Sequence, residues 1–420
     1  MWQGLMPGEL LLAPRALADM SVLRISQMGH QHAPRASSWG GGRIASIRNR
    51  TERLSMKNLI PYVSMIVLTL FVLLSTAAPQ EEADKPKFDV PFIKGYSWGW
   101  TGSRGEYRDE AADRSLKRLS DTGTEWIALT FAAHMQTRFC PEILYADKND
   151  FMVSDAEIRH AIALARKHQF KIIMKPVVNC RDGSWRATID LKTEHEWNNW
   201  WHNYEAFLLH YAQIAADTEC DMLCVGCEMR STERFGDRWR HLISQVRRVY
   251  KGPVVYNTNH DDIDHVKWFD AVDVVGVSAY WSVSTTADTS LESMLGGWKP
   301  VRDRLRKLTK KLQKPILFSE IGLRSASTCS TMPWDWSHQD LPYDGEEQAR
   351  YYEAAFRTFW DEPWFIGYCW WDWKARLYDL DDAKTNTDFC VYGKPAEKVL
   401  RKWYSKPRPR ANGRTIPGEL

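Results

Sequence analysis

Eight short apolar runs alternate along this chain with segments of helical period, and few folds accept such a rhythm. The runs are Pro91–Trp100, Glu125–Phe131, Lys171–Asn179, Met222–Glu228, Pro253–Asn259, Val272–Tyr280, Pro315–Ile321 and Phe365–Trp373. Each is short and rich in β-prone residues, as strands are. Between them, Asp155–His168 opens at Ser154, a good N-cap, and carries Ile158, Ile162 and Ala165 on one face. Trp197, Trp201, Tyr204, Leu208, Tyr211 and Ala215 recur every three or four residues, marking a long helix with an aromatic stripe. Ala111–Leu119, Arg238–Tyr250, Leu291–Leu312, Glu346–Trp360 and Ala396–Tyr404 complete the helical set, while the stretch from Asn259 to Ala271 holds a short helix at best. Eight strands alternating with helices over about 310 residues predict an α/β chain folded as a single (β/α)8 TIM barrel. A doubly wound open sheet is the competing architecture. It would normally show a glycine-rich phosphate loop after its first strand, but Trp98, Trp100 and Tyr107 crowd the glycines of Gly95–Gly105.

Charge is unevenly spread. Residues 1–77 carry eight Lys/Arg against three Asp/Glu, whereas the rest of the chain carries 48 against 50. The near-neutral remainder shows no polyanion-binding face, so nucleic acid is not an expected partner. Lys57 precedes the apolar stretch Leu59–Leu74, and Ser75-Thr76-Ala77-Ala78 follows it. Residues 56–78 therefore read as a signal peptide, or as an uncleaved anchor through 59–78. Either export route makes the domain secreted or extracytoplasmic. Residues 1–55 read as a non-native or disordered extension, 79–90 as a linker, 91–405 as the barrel and 406–420 as a basic tail.

The eight cysteines are dispersed, and one or two disulfides are expected of an exported chain. Cys224 and Cys227 have CxxC spacing, but positions three apart on a strand should face opposite ways, which argues against a joint metal site. No His/Asp/Glu cluster has ligand spacing, so neither a metal nor another cofactor is expected. Nothing in the sequence calls for an obligate oligomer.

Two glutamates carry the chemistry. Glu228 ends the fourth run and Glu320 ends the seventh. A carboxylate is costly on a strand's buried face, so each should face a cleft. In a barrel the strand C-termini form the active face, and two carboxylates there suit work on a glycosidic bond. Paired carboxyls of this kind need one member protonated near neutral pH. The 21 Trp in 420 residues add rings able to stack on sugars, although many must simply fill the core.

The phrases Gly95-Tyr-Ser-Trp-Gly-Trp100, Val225-Gly-Cys-Glu228-Met229, Phe318-Ser-Glu320-Ile-Gly322 and Trp370-Trp-Asp-Trp373 resemble glycoside hydrolase family 113, known for β-mannanases. The resemblance spans roughly 91–404. It implies a retaining β-glycosidase with Glu228 as general acid/base and Glu320 as nucleophile, acting on β-1,4-mannan. Another β-glycanase of the same clan (glucan, xylan or acidic glycan) and a non-catalytic glycan-binding barrel are the alternatives. Tyr280, ending the sixth run, is placed by the resemblance against the nucleophile, though a buried tyrosine can equally be core. Polar residues at other strand ends suit hydroxyl recognition or loop fixing: Lys175 and Asn179 on the third run, and Asn257, Asn259 and His260 on the fifth. Trp98, Trp100, Trp371 and Trp373 are the candidate sugar floors, with alternation sending Trp371 and Trp373 to one face and Trp370 to the other. The loops also hold Arg104, Arg138, Arg181, Arg186, Arg230, Arg324 and Arg376, which either pair with loop carboxylates or recognise an acidic glycan; Arg181 is the candidate binding residue. Much of the clan has Asn before the acid/base glutamate, and here that residue is Cys227. The contact to the sugar 2-hydroxyl must then come from elsewhere.

Overall fold

A computed structural model describes residues 90–408, apart from 101, 149–150 and 338–339. The leader, the extension before it, nearly all of the linker and the tail beyond 408 lie outside the described residues. Eight parallel strands close into one barrel in chain order. They are β1 (Ile93–Trp98), β2 (Trp126–Met135), β3 (Lys171–Cys180), β4 (Met222–Cys227), β5 (Val254–Asn259), β6 (Val274–Ser278), β7 (Ile316–Ile321) and β8 (Phe365–Trp373). The helices are α1 (Glu110–Ser120), α2 (Asp155–Lys167), α3 (Glu194–Asp217), α4 (Gly236–Val249), α5 (Leu291–Leu312), α6 (Gly345–Phe359) and α7 (Pro395–Tyr404). Between β5 and β6 the chain makes only the 3-10 turn Phe269–Ala271, in keeping with the short connection there.

Local chemistry explains where the helices begin. Ser154 caps α2 and Thr193 caps α3 with reciprocal capping boxes through Glu157 and Glu196. Each satisfies amide donors that a helix start leaves open, worth about 1 kcal/mol. Side chains from alternate strand positions, Ile93, Ile173, Met222, Val255 and Leu317 among them, form a separate inner cluster. The opposite positions pack outward against the helices in the larger core, where the stripe of α3 and the rings of β8 reside.

Strict alternation fails near the ends of β4, β7 and β8, among other irregularities of the described strands. On β4, Cys224 pairs with Val255 and Cys227 with Asn257, so three residues of β4 run against two of β5. On β7, Leu317 pairs with Gly276 and Glu320 with Ser278, again three against two. On β8, Trp370 and Trp373 face Tyr96 and Trp98. Each extra residue is a bulge that re-aims everything beyond it. The β4 bulge overturns the expectation that Cys224 and Cys227 face opposite ways, since the Cys227 thiol turns inward to reach Glu320. The β8 bulge likewise overturns the pairing of Trp371 with Trp373: Trp373 lies with Trp370 in the outer core. The peptide bond Trp371–Asp372 is cis. All eight cysteines are free thiols, so the expected disulfides do not form.

Candidate active site

Glu320 is the most heavily held carboxylate at the strand ends. Its side chain and that of Lys175 on β3 are buried, and the lysine Nζ lies 2.5 Å from Oε1. The Cys227 thiol donates to the same oxygen at 3.3 Å, and the Tyr280 hydroxyl donates to Oε2 at 3.3 Å. Burial pushes the Glu320 carboxyl up, but the charges of Lys175 and Arg186 and these donors outweigh it, so it stays below the ordinary carboxylate range. Burial drives the Cys227 thiol up, which keeps it protonated and able to donate. Ser319 donates to Asn257 Oδ1, and Asn257 Nδ2 in turn reaches Cys227 Sγ and Ser278 Oγ, each at 3.0 Å. A continuous polar layer therefore links β4, β5, β6 and β7 around one carboxylate.

Glu228 follows β4 and is buried in a different setting. Its Oε2 accepts from Arg186 at 3.0 Å and from the Trp185 indole at 3.3 Å. Arg186 also donates to the Cys227 carbonyl at 3.0 Å and to Asn179 Oδ1 at 2.8 Å, fastening the loop after β3 to the end of β4. Glu228 has a φ of +54°, a left-handed conformation that side chains other than glycine disfavour. Its amide donates to the Asn257 carbonyl at 2.7 Å. Nearby, the His260 ring stacks with Trp334 at 5.8 Å and meets Trp281 edge-on at 5.5 Å. Burial lowers the His260 ring below its ordinary value, against the pull of Asp261 and Glu228. Trp185 and Trp334 present 41% and 46% of their surfaces to solvent, the first beside Glu228 and the second on His260.

The other expected residues divide. Trp371 is half-buried, with Lys175 Nζ 5.9 Å from its ring centroid and Trp100 at 5.3 Å, so both belong to the site. Trp98 and Trp373 do not: each is fully buried and donates to Ser115 of α1, in the layer between barrel and helices. Ile93 and Ser97 take the inner positions of β1, and Trp98 takes an outer one. Asn259 fixes its own loop by accepting from the Asp261 amide at 3.1 Å. Arg181 is exposed and stacks over Phe151 at 4.6 Å; Arg186, five residues on, is the arginine that reaches Glu228. Nothing in the spacing of the two arginines distinguishes them, because the loop after β3 decides which one turns inward. Asp372 is buried, paired with Lys374 at 2.8 Å, and burial raises its carboxyl to about 6.

The family model for Glycoside Hydrolase Family 113 matches residues 96–394. The chain belongs to that family. It is 38% identical to the β-mannanase of Alicyclobacillus acidocaldarius, solved in complex with ManMIm, covering 76% of this chain and 99% of that one at a TM-score of 0.70. A second family 113 β-1,4-mannanase, solved as a complex, is 36% identical over 76% of this chain and 100% of its own, with a TM-score of 0.68. A β-glucuronidase of Ruminococcus gnavus, 13% identical over 75% of this chain and 50% of its own at a TM-score of 0.52, shares the fold alone. No curated protein matches the chain. This family 113 protein is a glycoside hydrolase.

Proposed function

We propose that this glycoside hydrolase is a retaining β-mannanase, with Glu320 as nucleophile and Glu228 as acid/base. The observation that carries the assignment is the asymmetry between the two carboxyls. Glu320 is held anionic by an ammonium, a thiol and a phenol, all on the barrel interior, as an attacking carboxylate requires. Glu228 lies beside the half-open ring of Trp185, where a leaving sugar can rest and take a proton from it. In the first step Glu320 attacks the anomeric carbon as the glycosidic bond breaks, and the Glu228 proton passes to the departing oxygen. In the second, Glu228 draws a proton from water, which displaces Glu320 with a second inversion. Trp371 supports the sugar held between them, and Trp185 and Trp334 support the leaving chain.

Mannan is favoured over an acidic glycan because three of the loop arginines already pair with carboxylates. Arg186 is paired with Glu228, Arg230 with Asp262 and Arg376 with Asp109. We further propose that residues 56–78 export the domain, by cleavage or as an anchor; the N-terminal sequence of the mature protein tests this. Among the described residues no helix is long and apolar enough to cross a membrane.

The deciding experiment is hydrolysis of a panel of β-glycans followed by proton NMR. Mannan cleavage with the β-anomer forming first is expected, and Glu320→Gln should abolish turnover while oligosaccharide binding persists. Release of the α-anomer first would sink the retaining assignment, and binding without turnover of any β-glycoside would make the barrel a lectin.

A further inference from the structure

Glu228 occupies a backbone conformation that costs a non-glycine residue roughly 1–2 kcal/mol, so something nearby must hold it. Two bonds from β5 flank it. The Glu228 amide donates to the Asn257 carbonyl at 2.7 Å, and the next amide, that of Met229, donates to the Tyr256 hydroxyl at 3.3 Å. Tyr256 points out of the barrel, away from the cleft, with Trp239 at 5.1 Å and Trp268 at 4.6 Å. It also lies against Gly226, where a Cβ would sit 2.8 Å from Tyr256 Cε2. Its hydroxyl donates to Glu233 Oε1 at 2.7 Å, and Thr258 donates to the same oxygen at 2.9 Å. A phenol has one proton. Once that proton is committed to Glu233, the lone pairs of Tyr256 are the part left for the Met229 amide.

Glu233 is buried, and its Oε2 finds no partner among the described residues. A carboxyl placed there costs stability that an apolar side chain would not. The backbone amide its network reaches is the one directly after Glu228.

We propose that Glu233 and Tyr256 are positioning residues for Glu228: Glu233 orients the Tyr256 hydroxyl, which with the Asn257 carbonyl locks the left-handed turn aiming the Glu228 carboxyl at the glycosidic oxygen. The proposal rests on the acid/base assignment of Glu228. Its consequence is selective, because loosening this turn impairs proton donation and leaves Glu320 untouched.

The test compares kcat/KM for a 2,4-dinitrophenyl β-glycoside, whose leaving group needs no proton, with that for an oligosaccharide of the same sugar. Tyr256→Phe and Glu233→Ala should lower the oligosaccharide value about tenfold, part of what a general acid supplies, and leave the dinitrophenyl value within about twofold. Retained dinitrophenyl activity also shows that the variant has folded. Glu233→Gln keeps the accepting oxygen and should restore the oligosaccharide rate. Equal losses on both substrates, or no loss on either, would overturn the proposal. Glu228→Ala is the control: if it too fails to separate the substrates, the acid/base assignment falls and takes the proposal with it. If it separates them while Tyr256→Phe does not, the positioning network alone is refuted.

Discussion

Replacing Lys175 with methionine should damage both stability and the acid limb of the pH profile. Lys175 and Glu320 face each other at 2.5 Å with side chains 1% and 6% exposed. At an effective dielectric of about 20, unit charges at that separation attract by about 7 kcal/mol. Desolvation of both ions consumes much of this, so the net value of the pair is small. Removing one partner is different, because it strands the other, at a cost of about 3–5 kcal/mol. The sign follows from the direction of the Glu320 shift. Its carboxyl is held below the ordinary range, so its contribution is present at neutral pH and lost as pH falls through the folded value. Without Lys175, burial dominates and the carboxyl moves up. The stability gap between wild type and Lys175→Met should therefore be about 3–5 kcal/mol at pH 7, by urea denaturation, and narrow toward pH 4. In parallel, the acid limb of kcat/KM should move to higher pH, because burial is then opposed by fewer charges. A gap under about 1 kcal/mol with an unmoved acid limb would refute the claim that Lys175 holds the Glu320 charge.

Other substitutions separate core from cleft. Trp373→Ala should cost about 3–5 kcal/mol of stability yet leave KM on short substrates unchanged, as expected of a ring bonded to Ser115 in the outer core. Trp334→Ala should do the reverse, leaving the thermal midpoint nearly unchanged while raising KM on long chains about three- to tenfold, the equivalent of roughly 1 kcal/mol of lost ring contact. Gly226→Ala places a methyl 2.8 Å from Tyr256 and 2.9 Å from Trp239. Overpacking of that kind costs about 1–3 kcal/mol, and denaturation paired with oligosaccharide hydrolysis should show loss of both stability and rate.

The barrel was legible because each strand and helix announces its own period. Leu291–Leu312 is the helix α5 residue for residue, and the short link after Asn259 does form no α-helix. The carboxylates were legible too, since a glutamate ending an apolar run has few places to go; family membership was carried by the phrases around them. The company they keep was less so. Lys175, Asn257 and Tyr280 were within reach as polar residues within or just beyond apolar runs, but Arg186 and Trp185 come from an irregular turn after β3 with no period to betray them. Trp98 and Trp373 were misjudged because proximity in sequence to an active face does not say which side of the sheet a ring takes.

The sequence by itself determined the number and order of the strands, and it put Glu228 and Glu320 at strand ends. Local periodicity and turn chemistry suffice for that, because they act over a few residues. Only the tertiary structure decided which way those side chains point. The bulges on β4, β7 and β8 each insert a residue against a neighbouring strand. Where such a residue falls depends on the register of two strands far apart in the chain. A strand's period is its own, but its register belongs to the pair.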